Sequence, residues 1–243
     1  MRDRTAAAVV IGNEILSGKV TETNAAFLAK ELRALGVALR RIVVIPDEVD
    51  AIAAAIRELH PAHDVLFTSG GVGPTHDDVT IAGVAQGLGR RVIRHPALEQ
   101  MIRELSGERL NDARLKMAEV PDGAELVLDG NLRFPTIRVE NIYILPGIPE
   151  LFREKFLAMK DHFAADPYYL RVIYTRALES AIAGYLNATL AAFPELLLGS
   201  YPTIGDPEYQ VRLTLESKDE QYVTRAFEHL LAQLGPEIVV RTE

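Results

Sequence analysis

The chain has 243 residues, of which 48% are hydrophobic and 25% are charged, as expected for a folded protein of one large or two small domains. The net charge of −8 argues against a nonspecific nucleic-acid binder. Cysteine is absent, which excludes disulfides, thiolate nucleophiles and zinc–thiolate sites. No run of about 18 apolar residues occurs, so we predict no transmembrane helix.

Strand and helix patterns alternate along the first two-thirds of the chain. The predicted strands are residues 6–11, 39–45 and 64–69, and the helices between them carry leucine or isoleucine at helical spacing. Gly36 is predicted to end the first helix and Asp50 to cap the second. The apolar N-terminal segment is too short for a signal peptide, so we expect a cytoplasmic protein.

More helices and a pair of strands are predicted further along. Helices are expected around Leu98 and over residues 111–120 and 149–163. Residues 125–128 and 136–145 are predicted as paired strands around Asp129-Gly130-Asn131. The alternation predicts a three-layer α/β domain, with a parallel sheet that has a mixed edge.

The composition changes after a predicted linker at residues 164–168. The remaining patterns follow the order β-α-β-β-α-β, which predicts a small α+β sandwich. We therefore predict two domains, residues 1–166 and 167–243.

A glycine-rich turn, residues 68–80, connects the third strand to the next helix with the sequence TSGGVGPTHDDVT. Its glycines permit a tight turn and close approach of a ligand, and the helix start offers N–H groups that suit a phosphate. Asp77 and Asp78 would repel a bare phosphate, so the pattern implies a divalent cation or proton transfer. The alternative is a structural turn in which Asp78 caps the helix.

Other polar loops follow the predicted strands. They contain Glu14, Asp47 and Gly147. Because ligands of open α/β sheets bind at the carboxyl ends of the strands, we expect these loops to converge on one rim. Each residue also has a structural alternative: Glu14 in a surface loop, Asp47 in a Pro-Asp turn, and Asn24 as a helix N-cap. Glu14 follows a buried strand, where a carboxylate is costly without a partner.

The segments resemble the molybdopterin-binding (MogA/MoaB-like) superfamily, and most closely its CinA-type branch. The resemblance rests on the glycine-rich turn, on the opening run GNEILSGK followed by Thr23-Asn24, and on the loop LPGIP. It implies a MogA/MoaB-like fold followed by a KH-like domain. Asn13 stands where the family often has Asp, and Asp77 stands where the MogA-like branch has a basic residue.

The resemblance and the residue patterns together predict one site. Its members are catalytic Asp47 and Asp78, ligand-binding Asn24, Ser69, Gly70, Gly71, Gly73, Gly147 and Pro149, and metal-binding Glu14, Asp77 and Asp78. The metal is expected to be Mg²⁺, Mn²⁺ or Co²⁺.

The family resemblance also implies an activity. CinA proteins commonly carry a C-terminal amidase domain, and because this chain stops at Glu243 we expect that activity to be absent. The part that remains is associated with metal-dependent hydrolysis of ADP-ribose, and a relative fused to FAD synthases in eukaryotes hydrolyses FAD. We therefore expect a metal-dependent nucleotide pyrophosphatase. The alternatives are an adenylyltransferase of molybdenum-cofactor synthesis and a pterin or nucleotide carrier.

The expected partner is a small nucleotide or pterin, and the expected assembly is a homodimer or, as a second possibility, a trimer. We expect no membrane partner. RNA binding is not expected either, since no Gly-x-x-Gly loop with basic flanks occurs in the second domain.

Overall fold

The computed structural model describes residues 3–130 and 132–243, and these form two compact units. The first unit extends to Ala165, and the second runs from Asp166 to Glu243. In the described residues, no helix is both long enough and apolar enough to cross a membrane.

The first unit contains eight strands and seven α-helices among its described residues. In chain order they are β1 (Thr5–Ile11), α1 (Asn13–Leu16), α2 (Asn24–Ala34), β2 (Ala38–Ile45), α3 (Val49–Leu59), β3 (Val65–Ser69), α4 (Thr80–Gly87), β4 (Val92–Arg94), α5 (Pro96–Ser106), α6 (Asp112–Lys116), β5 (Glu119–Pro121), β6 (Glu125–Val127), β7 (Thr136–Val139), β8 (Ile142–Leu145) and α7 (Pro149–Met159). Short 3₁₀ turns follow α3, α5 and α7.

Six of these strands form one mixed sheet in the order β2-β1-β3-β8-β7-β6. The first four are parallel, whereas β7 and β6 are antiparallel to their neighbours. Strand β1 is buried on both sides: Ala7 and Val9 belong to one core, and Ala6 and Ala8 to the other. Helices α3, α4 and α5 contribute to the first core, and α2 and α7 to the second. The predicted three-layer α/β fold with a mixed edge is therefore confirmed.

Helix α4 packs unusually close to α3. A Cβ atom built on Gly83 would lie 2.5 Å from Cβ of Ile52, and one built on Gly87 would lie 2.7 Å from Cβ of Ile56. Because no side chain fits there, these two glycines let the helix that begins beside the glycine-rich turn lie directly on its neighbour.

The prediction of one strand over residues 136–145 was wrong. The segment is a hairpin of β7 and β8, which turns at Glu140 with a positive φ of 54°. The neighbouring Asn141 secures this turn, since its Nδ2 donates to the carbonyl oxygens of His60 at 3.0 Å and His63 at 2.7 Å. Of the turn predicted at Asp129-Gly130-Asn131, Asn131 lies outside the described residues.

Two helix predictions also need correction. The helix expected over residues 111–120 covers only α6, with Asn111 as its N-cap, because the following residues form β5 and pair with β4. Asp50 lies in the first turn of α3, whose N-cap is Glu48.

The second unit is a small α+β domain, as predicted. Its elements are β9 (Tyr169–Thr175), α8 (Glu179–Ala192), β10 (Leu197–Pro202), β11 (Val211–Ser217), α9 (Glu220–Leu234) and β12 (Val239–Thr242). The strands form an antiparallel sheet in the order β10-β11-β9-β12, which is the ferredoxin-like arrangement of a β-α-β-β-α-β chain. Apolar residues of both helices share a core with alternate strand residues such as Leu213 and Leu215.

Candidate functional site

Four loops lie side by side at one rim of the large sheet. They follow the carboxyl ends of the adjacent parallel strands β2, β1, β3 and β8. These are the loops of Asp47, of Glu14, of the glycine-rich turn and of Gly147. The sheet order therefore brings together the loops that were predicted to converge on one rim.

The centre of the rim is built from closely packed main chain. Gly70 has a φ of 106° and Gly71 a φ of 63°, both in the region that favours glycine. A Cβ atom on Gly70 would collide with the carbonyl oxygen of Ile11, and one on Gly147 would lie 3.2 Å from Cα of Gly70. Side chains are thus excluded at the point where three of the loops meet.

The glycine amides differ in their availability. The N–H of Gly70 donates to the carbonyl oxygen of Leu145 at 3.2 Å, so it is used within the protein. In the described part of the chain, no group accepts a hydrogen bond from the N–H of Gly71 or Gly73. The amides that can receive a ligand are therefore those of Gly71 and Gly73.

Thr80, the first residue of α4, fixes the glycine-rich turn to its helix. Its N–H donates to the carbonyl oxygen of Gly71 at 3.0 Å, and its hydroxyl donates to that of Gly70 at 2.8 Å. The N-cap of α4 is Val79, so the alternative in which Asp78 caps this helix was wrong. Thr80 was not among the predicted site residues, although a threonine at a helix start is a common capping signal.

The carboxylate of Asp78 is held within its own turn. Its Oδ2 accepts hydrogen bonds from the N–H of Thr75 at 2.8 Å and from the Thr75 hydroxyl. The carboxylate lies over Gly73, where a Cβ atom would come within 2.6 Å of Oδ2. Asp78 is thus placed directly beside Gly73, one of the two glycines with a free amide.

The tip of the same turn is open to solvent. Asp77 is exposed, and the Thr75 side chain and a backbone N–H hold the pKa of the Asp77 carboxyl below its usual value. His76 is also exposed, with its Nδ1 4.0 Å from Oδ1 of Asp77. Asp77 is therefore an accessible carboxylate that stays ionised to lower pH than an ordinary aspartate.

Asn24 ties two of the loops together from beneath. It is 2% exposed, and its Nδ2 donates to Ser69 Oγ at 3.0 Å and to the carbonyl oxygen of Gly147 at 2.8 Å. Its Oδ1 is buried and accepts no hydrogen bond from the described residues. Asn24 is the first residue of α2 and its side chain does not cap that helix, so the N-cap alternative was wrong.

The acidic residues of the other loops are less buried. Oδ2 of Asp47 accepts a hydrogen bond from the N–H of Asn13 at 2.7 Å, which joins the loops after β2 and β1. Glu14 is exposed and its carboxylate lies over Gly12, so the expected burial penalty for Glu14 does not apply. Pro149 begins α7, as a proline in the first turn is expected to do.

The predicted metal ligands do not form a preassembled site. In the part of the chain that the structure describes, no group of three or more His, Asp or Glu side chains is arranged to hold a metal ion. Asp78 already accepts hydrogen bonds within its own turn, and Asp47 accepts one from the neighbouring loop of Asn13. A cation held by protein groups alone does not fit this arrangement.

Comparison with known proteins identifies both parts of the chain. Residues 7–164 match the family model described as a probable molybdopterin binding domain. The chain belongs to the probable molybdopterin-binding domain family. Residues 167–243 match the model described as the middle domain of FAD synthase. The matched ranges show that the rim loops lie in the part of the chain that matches the probable molybdopterin binding domain.

Several relatives align with most of the chain, across both matched parts. A protein from Archaeoglobus fulgidus is 33% identical over 226 residues, covering 92% of this chain and 96% of its own. A probable FAD synthase from Caenorhabditis elegans is 31% identical over 264 residues and covers 97% of this chain. The match spans only 51% of that FAD synthase, about half its length.

A solved structure agrees with the family assignment. The crystal structure of the protein CinA with unknown function from Thermoplasma acidophilum has a TM-score of 0.61 and 32% sequence identity. The alignment covers 67% of this chain and 100% of the solved chain. The predicted resemblance to CinA-type proteins is thereby confirmed.

Proposed function

We propose that this protein is a nucleotide pyrophosphatase that hydrolyses the diphosphate linkage of ADP-ribose or of a related dinucleotide such as FAD. The observation that carries the proposal is the turn before α4, in which the N–H groups of Gly71 and Gly73 are free and the Asp78 carboxylate lies over Gly73. Free main-chain N–H groups at a glycine-rich strand-to-helix turn bind phosphate oxygens. A carboxylate next to them can hold the water that attacks the phosphorus.

Each residue has a separate task in this proposal. The amides of Gly71 and Gly73 bind and orient the diphosphate, and Asn24 holds the loops of Ser69 and Gly147 beneath it. Asp78 orients the attacking water and accepts its proton. The water oxygen bonds to phosphorus while the bridging P–O bond breaks, the leaving phosphate takes the electron pair, and the proton then passes to solvent.

A divalent cation is part of the proposal only as a companion of the nucleotide. Magnesium ions are often bound by one or two carboxylates together with substrate phosphates, and this does not need three preassembled protein ligands. The exposed Asp77 and Glu14 are the carboxylates that can turn toward such an ion. When bound, Mg²⁺, Mn²⁺ or Co²⁺ would supply charge neutralisation of the phosphates.

The relatives support action on a nucleotide and also favour a second candidate. The name of the Caenorhabditis elegans relative, a probable FAD synthase, refers to formation of the same kind of diphosphate linkage that a pyrophosphatase breaks. Adenylyl transfer, or nucleotide and pterin binding without turnover, would use the same free amides. This chain matches only half of that relative, so the relative's name does not by itself assign adenylyl transfer to this chain. Hydrolysis stays our first candidate.

The test is release of AMP from ADP-ribose and FAD with Mg²⁺, Mn²⁺ or Co²⁺, in the wild type, Asp78→Asn and Asp77→Asn. Asparagine keeps an oxygen that can accept from Thr75, so Asp78→Asn preserves the turn while removing the charge. We expect this variant to lose about 100-fold or more in rate. Asp77→Asn shows whether the neighbouring carboxylate participates. No AMP release by the wild type, with nucleotide binding retained, would leave a transferase or a carrier.

A further inference from the structure

Lys116 reaches the glycine-rich turn from a distant part of the chain. Its Nζ donates to the carbonyl oxygens of Thr75 at 2.5 Å and Asp78 at 3.0 Å. These two residues bracket the exposed tip of the turn. Lys116 is the last residue of α6 and does not lie in a loop after a strand of the large sheet. It belongs neither to the predicted site nor to the proposed reaction.

The position of Lys116 is fixed by its surroundings. Leu115 is 9% exposed and Ala118 is fully buried, and the carbonyl oxygen of Ala118 accepts a hydrogen bond from the N–H of His95 at 2.8 Å. Asn111 caps α6 through the N–H of Arg114 at 2.9 Å. The ammonium group is therefore presented to the turn by a segment that is anchored in the core.

The turn is closed from two sides. On the inside, Thr75 donates from its N–H and hydroxyl to Asp78 Oδ2. On the outside, the Lys116 ammonium draws together the carbonyl oxygens of the same two residues. An ammonium group has three donors, so two carbonyl contacts leave one N–H for another acceptor.

The positive charge of Lys116 also affects how the turn interacts with a phosphate. The turn carries the carboxylates of Asp77 and Asp78, which oppose the arrival of a phosphate. Lys116 places a positive charge against the backbone of the same turn, and this offsets part of the repulsion.

We infer that Lys116 is a positioning residue: it holds the Thr75–Asp78 turn closed and makes the turn receptive to a diphosphate. The turn-closing role follows from the contacts alone, whereas the diphosphate role rests on the proposed function. Both roles act through the turn and need no bond between Lys116 and the reacting atoms.

The experiment compares Lys116→Met, Lys116→Arg and Lys30→Met in the full chain. Methionine keeps much of the apolar stem but removes the charge, arginine keeps the charge, and Lys30 is an exposed lysine of α2 that serves as the matched control. Two quantities are measured: amide hydrogen exchange of the segment 72–79, and calorimetric binding of ADP with and without Mg²⁺.

We expect Lys116→Met to speed exchange of the turn about 10-fold, as for loss of a charge-assisted hydrogen bond, and to weaken ADP binding by a similar factor. Lys116→Arg should restore most of both, and Lys30→Met should match the wild type. Unchanged exchange in Lys116→Met would overturn the turn-closing role, and faster exchange with unchanged ADP affinity would overturn the diphosphate role. If the wild type itself binds no ADP, the proposed function fails while the exchange comparison still tests Lys116.

Discussion

The buried amide of Asn24 provides the sharpest test of how the rim is held together. Asn24→Ala removes both hydrogen bonds from Nδ2, which join Ser69 and Gly147. Each such bond contributes about 0.5–1.5 kcal/mol, so the loss is about 1–3 kcal/mol. Removing the unpartnered Oδ1 offsets about 1 kcal/mol of this, because a buried polar atom without a partner is itself destabilising.

With about 1 kcal/mol for each bond, the expected net loss is therefore about 1 kcal/mol, or a decrease of about 2–4 °C in the melting temperature of the first unit. Scanning calorimetry gives the melting temperatures, and hydrogen exchange of β1 and β3 identifies the transition of this unit, since the two units can unfold separately. Ser69→Ala is the matched control, because it removes one bond and leaves the bond to Gly147. Because the Oδ1 of Asn24 stays in place, no offset applies, and Ser69→Ala should cost about 0.5–1.5 kcal/mol.

Asn24→Asp extends the same test to charge. The substitution replaces the donor with a carboxylate oxygen that faces the Gly147 carbonyl in a buried position, and burial raises the pKa of a carboxyl. This variant should be less stable than Asn24→Ala at pH 7 and should regain stability as the pH falls through the raised pKa. An Asn24→Ala protein as stable as the wild type, or a variant Asn24→Asp without this pH dependence, would refute the reasoning.

Two further predictions concern backbone geometry and a half-buried lysine. Gly70→Ala should strongly destabilise the first unit, because the added Cβ would collide with the carbonyl oxygen of Ile11. Gly89 has a φ of 65° but open space around it, so Gly89→Ala should lose only the smaller stability that an alanine with positive φ costs. Equal melting temperatures of the two variants would contradict this. Burial lowers the pKa of Lys155 to about 8, below about 10.4 in an unfolded chain, so the unfolded state binds more protons between these values. The free energy of unfolding of the wild type, measured by urea titration relative to Lys155→Met, should therefore rise from pH 8 to pH 10. A difference between the two proteins that stays constant with pH would contradict this prediction.

The sequence predicted the layers of the fold well because burial is encoded locally. Strands such as β1 and β3 are continuous apolar runs, which are typical of strands covered on both faces. The hairpin at Glu140 could not be predicted in the same way, because glutamate rarely adopts a positive φ and the bonds of Asn141 to His60 and His63 join residues far apart in sequence.

The site was predictable to the level of its loops but not of its hydrogen bonds. Strand ends and glycines marked the rim, since parallel strands end on one side of a sheet. The use of the Gly70 amide by Leu145 and the approach of Lys116 to Thr75 depend on contacts between separate elements. No local pattern records such pairings, and for that reason Lys116 was missed.

The glycine contacts at the rim also limit how this fold can be re-engineered. Gly147 lies against Gly70, and Gly70 against the carbonyl of Ile11, so backbone meets backbone without an adjustable side chain between. Exchanging any one loop with that of another protein would require the other two to be exchanged with it. New substrate preference is therefore better sought by varying exposed side chains such as Glu14 and Asp77 than by grafting loops.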